Sequence, residues 1–138
     1  MSVAYTVEER LEPAEFVDIL KRSTLAERRP VNEPATVRGM VENASLIVCA
    51  RDAGGLLVGV SRAVTDFAYC CYLSDLAVDV RWQGQGIGRE LMRRTREAAG
   101  GEKVTMLLLS APAVMGYYPK AGLTKYENCF GIPRGAAY

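Results

Sequence analysis

The stretch VRWQGQGIG, residues 80–88, constrains this chain more than any other. It follows an apolar run, residues 69–80 (YCCYLSDLAVDV), and opens a helical segment, residues 86–99. That segment places Ile87, Leu91, Met92, Thr95 and Ala98 on one face and Arg89, Glu90, Arg93, Arg94, Arg96 and Glu97 on the other. Strand, glycine turn and helix are therefore read in succession. Gly84, Gly86 and Gly88 leave the backbone bare at the start of the helix, so several N–H groups can converge on an anion. The positive end of the helix dipole lies behind them, and a diphosphate suits that arrangement best. Two common phosphate motifs fail. A dinucleotide fingerprint begun at Gly84 needs glycine where Arg89 stands, and a P-loop needs Gly-Lys-Ser/Thr where Arg89-Glu90-Leu91 stand. What fits is Gln-x-x-Gly-x-Gly, from Gln83 through Gly86 to Gly88.

The flanking sequence reads as one small domain, residues 1–138. Residues 5–10 alternate as a first strand, and Glu12-Pro13 opens a helix carrying Phe16, Val17, Ile19 and Leu20. Residues 23–30 form a loop, and Glu33-Pro34 begins a second short helix ending near Asn43. Residues 45–51 and 56–64 are strands joined by the hairpin turn Asp52-Ala53-Gly54-Gly55. The run at 69–80 reads as a central strand covered on both faces. Gly100-Gly101 stops the long helix, residues 103–110 form a buried strand, and Pro112 starts a short helix that Gly122 closes. Residues 123–134 alternate enough for one or two final strands.

Asp75-Leu76-Ala77-Val78 followed by Gln83-x-x-Gly86-x-Gly88 resembles the first signature of the GNAT superfamily of N-acetyltransferases. Tyr117-Tyr118-Pro119-Lys120-Ala121-Gly122-Leu123 resembles its second, in the expected order after an intervening strand. The resemblance implies an α/β (α+β) GNAT fold. Its central sheet would be mixed, mostly antiparallel and about six or seven strands wide, with helices on both faces. It implies acetyl-CoA as acyl-donor cosubstrate, held by Leu76, Ala77, Val78, Gln83, Gly84, Gln85, Gly86, Ile87, Gly88 and Arg89, with the N–H near Val78 binding the thioester oxygen. Tyr118 matches the family's general acid, a phenol protonated at neutral pH that donates to the departing thiolate. The other reading is that its ring packs on pantetheine. Pro119 disfavours helical geometry at Tyr118 and predicts a bent last turn. Ala111 stands where the family often carries Asn, and Tyr72 where its histone-modifying members carry a glutamate base. Asp75 and Glu33 are candidate bases, and each is equally a candidate structural acceptor.

The acceptor is expected to be a small-molecule amine. Arg28 and Arg29 fall in the loop where the family builds its acceptor site, and Arg suits a carboxylate or phosphate on that amine, though a solvated loop pair is an equal reading. Tyr72, with Tyr69, Tyr117 and Phe130, could instead line an apolar pocket for an arylalkylamine, and core packing explains the same four equally well. The alternatives are a protein lysine or N-terminal acetyltransferase, and a non-catalytic CoA-binding module.

Composition narrows the field further. The chain has no histidine, which removes every Ser-His and Cys-His nucleophile. Cys49, Cys70, Cys71 and Cys129 show no C-x-x-C spacing, so no metal site is expected and the thiols fit a reduced, cytoplasmic setting. A net charge of +1 with interspersed signs argues against nucleic acid. The acidic N-terminus is not a signal peptide, and no apolar run is long enough to span a membrane. A homodimer is expected, because a short C-terminal strand leaves an edge to cover.

Overall fold

The computed structural model describes residues 2–138, which fall into two units, one ending at Leu108 and one spanning Leu109–Tyr138. In the first unit the elements run β1 (Ala4–Val7), α1 (Pro13–Arg22), α2 (Pro34–Glu42), β2 (Leu46–Arg51), β3 (Leu57–Thr65), β4 (Cys70–Val78), α3 (Ile87–Ala99) and β5 (Thr105–Leu107). The strands lie in the order β1-β2-β3-β4-β5, antiparallel except for the parallel pair β4–β5. The sheet is mixed and mostly antiparallel, as expected, with five strands rather than six or seven.

Proline at the first position opens both α1 and α2, where its missing N–H costs no helical bond. Phe16, Ile19 and Leu20 of α1 and Val37 and Val41 of α2 form one core with Ile47, Cys49, Val60 and Ala77. The opposite face takes α3. A Cβ on Gly59 would lie 3.0 and 3.1 Å from Leu91 and Ile87, and the Ser61 and Thr95 hydroxyls are 2.6 Å apart. Because residues 59 and 61 face α3 while Val60 faces α1 and α2, the sheet carries helices on both faces.

The strand covered on both faces is β3, the middle of the five, buried from Leu57 through Ala63. The expectation had given that role to residues 69–80. β4, shorter than the expected 69–80, is second from the sheet's edge, and its burial alternates. Opposite Arg62 and Ala63 it holds one extra residue, Ser74, between Leu73 and Asp75. Residues 103–110 likewise yield only the three-residue β5, whose Thr105 and Leu107 are exposed. Among the described residues no strand pairs with its outer side. On α3 the buried alanine is Ala99 rather than Ala98, one 100° step further round the helix.

β4 also carries two carboxylates, Asp75 and Asp79 at its end, each 1% exposed. Asp75 accepts from both Arg62 of β3 and Arg29 of the α1–α2 loop. Asp79 accepts from Arg22 of α1 at 2.7 Å and from Arg81 at 3.0 Å, while Arg22 also donates to the Leu57 carbonyl at 2.6 Å. Arg51 closes the far end of the sheet on Glu8, at 2.8 Å from both carboxylate oxygens, and on Glu15 of α1.

In the second unit a 3-10 turn, Pro112–Val114, precedes α4 (Tyr117–Lys120). Tyr118 is helical there, contrary to the expected bend, because Pro119 occupies the third position of the helix. The first turn needs no N–H from that residue. Residues 123–134 form no strand, which corrects the expected final strands. None of them is buried, so their alternation has no apolar layer to face.

Two stability measurements follow. Asp75→Asn leaves two guanidiniums without their carboxylate and is expected to cost about 3–5 kcal/mol in urea unfolding, the penalty of breaking a buried pair from one side. The Arg81 side chain and N–H, with Arg22, hold the Asp79 carboxyl well below its ordinary 3.8. A depressed pKa contributes stability that is complete above 3.8 and lost as pH falls through the lower folded value. Asp79→Asn should therefore be less stable than the parent at pH 7, with the difference shrinking only below pH 3.8 in acid titrations.

Candidate functional site

The end of β4, the glycine turn and the start of α3 form one continuous site within the first unit. The Asp79 side chain caps the turn by accepting from the Arg81 N–H at 2.8 Å, and a short 3-10 turn, Val80–Trp82, follows. This capping role was not singled out from the sequence. Its signal was an acid directly after an apolar strand and ahead of the turn, at a position that favours Asp.

Gly84 and Gly86 adopt φ of 79° and 83°, left-handed values that favour glycine. A Cβ at either position would meet no atom within 4 Å, so the turn presents bare backbone to open space. The first helical bond of α3 runs from the Glu90 N–H to the Gly86 carbonyl at 3.0 Å. The N–H groups of Ile87 and Gly88 therefore point out of the helix end with no helical carbonyl to meet. Ile87 is buried beneath the turn, while Gln83, Gly84, Gln85, Gly86 and Arg89 are exposed. Arg93 and Arg94 hold the Glu90 carboxyl down to about 2, keeping a charged acid in the first turn of α3.

β4 contributes an open edge. Its pairing with β5 covers only Cys70–Tyr72 against Thr105–Leu107. The Asp79 N–H bonds back to the Val58 carbonyl of β3 at 2.9 Å. Alternation then turns the N–H and C=O of Leu76 and Val78 away from β3, onto the side that β5 has already left. The Gln83 side-chain amide donates to the Val78 carbonyl at 3.0 Å. Gln83 is thus a brace between turn and strand, and the N–H groups of Leu76 and Val78 face outward with no strand to accept them. An anion cradle and an adjoining row of outward N–H groups can hold a diphosphate and, further along, a carbonyl oxygen.

The expected acceptor residues fare differently. Arg28 is exposed. Arg29 turns its guanidinium into the protein, to Asp75, to the Ser74 carbonyl at 2.9 Å and to the Arg28 carbonyl at 2.9 Å. Asp75, a candidate base, is a buried acceptor for two arginines. Tyr72 is 41% exposed on β4. In the second unit Tyr118 is half-buried, with its ring edge-on to Tyr117 at 5.2 Å between centroids and its carbonyl accepting from the Leu123 N–H. Among the described residues no cluster of three or more His, Cys, Asp or Glu could hold a metal ion, and no helix is long and apolar enough to cross a membrane.

Comparison with known proteins agrees with this geometry. Residues 42–124, which include the turn and both signatures up to Thr124, match the acetyltransferase (GNAT) domain family. An uncharacterized N-acetyltransferase, ycf52, of Pyropia yezoensis is 30% identical over 118 residues, and its Porphyra purpurea counterpart 26% over 115. Each alignment covers 78% of this chain, which spans only 64% of the length of those relatives. Among solved structures, a GNAT family acetyltransferase of Streptococcus pneumoniae superposes with a TM-score of 0.68 at 18% identity, covering 96% of both chains. An aminoglycoside acetyltransferase from an uncultured soil metagenomic sample, in complex with sisomicin, gives 0.71 at 16% identity, covering 98% of this chain and 97% of the other. With a mixed, mostly antiparallel sheet, a glycine turn at the head of α3 and a family match over residues 42–124, the chain belongs to the GNAT acetyltransferase family.

Proposed function

We propose that this chain is an acetyl-CoA-dependent N-acetyltransferase whose acceptor is the amine of a small molecule, working as a single domain over residues 1–138. The observation that carries the reading is the bare left-handed turn at Gly84 and Gly86, continuous with the outward N–H groups of β4. Acetyl-CoA supplies an acyl group activated as a thioester. The N–H groups of the turn and of Ile87 and Gly88 are suited to its diphosphate, and those of Leu76 and Val78 to its pantetheine and thioester carbonyl. Arg89, exposed at the third position of α3, adds positive charge beside the cradle. Tyr118 is the proposed general acid: as the neutral acceptor nitrogen bonds to the acyl carbon and the carbon–sulfur bond breaks, its phenol gives the sulfur a proton, and the proton shed by the nitrogen passes to solvent, from which the phenolate is reprotonated. A small-molecule acceptor is supported by the aminoglycoside-acetylating neighbour, whose fold this chain shares. The reading extends to a cytoplasmic homodimer.

Two variants test it. Gly86→Val puts a branched side chain in front of the helix end and forces valine to a φ of 83°. Titration calorimetry should show acetyl-CoA binding lost while the circular dichroism spectrum is kept. Unchanged affinity in the folded variant rejects the cradle. Tyr118→Phe removes only the hydroxyl, and turnover should fall by about 10²- to 10⁴-fold with little change in acetyl-CoA affinity. An acyl donor with a more acidic thiol should partly rescue it. Full activity of the Phe variant rejects the acid role.

A further inference from the structure

At the point where β5 stops pairing with β4, three apolar side chains form a row across the sheet. The register sets Val64 of β3 opposite Tyr72 of β4, and Tyr72 opposite Leu107 of β5, so all three project from the same face. They are 49%, 41% and 41% exposed. It is the face on which Arg62 meets Asp75, since Arg62 and Val64 are two apart on β3. The neighbouring charge is spent internally. Arg62 gives its donors to Asp75, the Ser74 hydroxyl and the Met40 carbonyl, and Arg29 gives its own to Asp75, Ser74 and Arg28. Two guanidiniums sharing one buried carboxylate disfavour a third cation nearby, and neither is turned outward to clamp an anion.

We propose that this row is the platform for the acceptor, and that it selects primary amines carrying an aromatic or branched apolar body over polyamines, amino sugars and amino acids. The inference rests on the acetyl-transfer reading and names the substrate class of that same site. Continuity of the strand ties the row to the site: the outward edge of β4 begins directly after Tyr72 and leads to Leu76 and Val78. An apolar body resting on the three side chains leaves its amine free to extend along that edge. Apolar contact contributes affinity at the row, and the arginine pairs nearby favour the uncharged amine that attack requires. Val64 and Leu107 are thereby specificity-determining residues, alongside Tyr72.

The test measures kcat/KM for 2-phenylethylamine, benzylamine and isoamylamine against ethanolamine, putrescine and sisomicin, at fixed acetyl-CoA and a pH where each amine's neutral fraction is known. After correction for that fraction, the apolar amines should lead by about tenfold or more, the usual worth of a fitted apolar group. Leu107→Asn and Val64→Asn should each lower the ratio of phenylethylamine to ethanolamine efficiency severalfold, and Leu107→Met should restore it. Using a ratio within one variant cancels any shared loss of folded enzyme. Equal or better use of putrescine or sisomicin, or an unchanged ratio in both Asn variants, overturns the platform and leaves acetyl transfer standing. Acetylation of none of the six amines overturns both.

Discussion

Two buried carboxylates on one strand hold the working parts of this protein together. Asp75 and Asp79 sit four residues apart on β4 and at its end, and between them they anchor arginines from β3, α1, the α1–α2 loop and the turn before α3. Every element that borders the candidate site is therefore referenced to the same strand. The cost of burying charge is met because each acid is shared by two guanidiniums, and Arg22 on Asp79 also bonds the Leu57 carbonyl of β3. Loosening Asp79 would release the turn from the sheet, and loosening Asp75 would free the α1–α2 loop and leave Arg62 without its carboxylate.

On that frame the glycine turn and the open edge of β4 act as one surface. The turn needs left-handed backbone at Gly84 and Gly86, and Gln83 ties it back to the strand through the Val78 carbonyl. The edge needs β5 to part from β4 after Tyr72, which it does. Neither feature alone would distinguish a binding site from a well-made loop. Together they set backbone donors at the helix end and along the strand, with an apolar row where the opening starts.

Much of this was legible in the sequence, and the reasons are local. Pro13 and Pro34 mark helix starts because proline fits only the first turn, and the boundaries of α1, α2 and α3 fall within a residue or two of those expected. Asp52 to Gly55 marks a hairpin because its side chain and glycine conformations close that turn, with the Asp52 carboxylate accepting from the Gly54 and Leu56 N–H groups at 2.9 Å. The Gln83–Gly88 spacing marked the turn because glycine is strongly favoured where φ is positive, as it is at Gly84 and Gly86. The roles of Arg29 and Asp75 were not legible. Alone, an arginine in a loop and an acid on a strand read equally well as ligand groups or as structural partners.

The sequence by itself determined where the helices and the hairpin begin, which face of each helix is apolar, and that a glycine turn with bare backbone stands before α3, since all of these depend on residues close together in the chain. Tertiary structure decided which strand is central, how far β5 reaches, and where the charges go. The extra residue at Ser74, the early end of β5 and the 46-residue span from Arg29 to Asp75 are set by pairing between distant segments. No local pattern encodes such pairings: alternation specifies that a strand has a buried face, but its neighbours, register and length depend on what the rest of the chain packs against it.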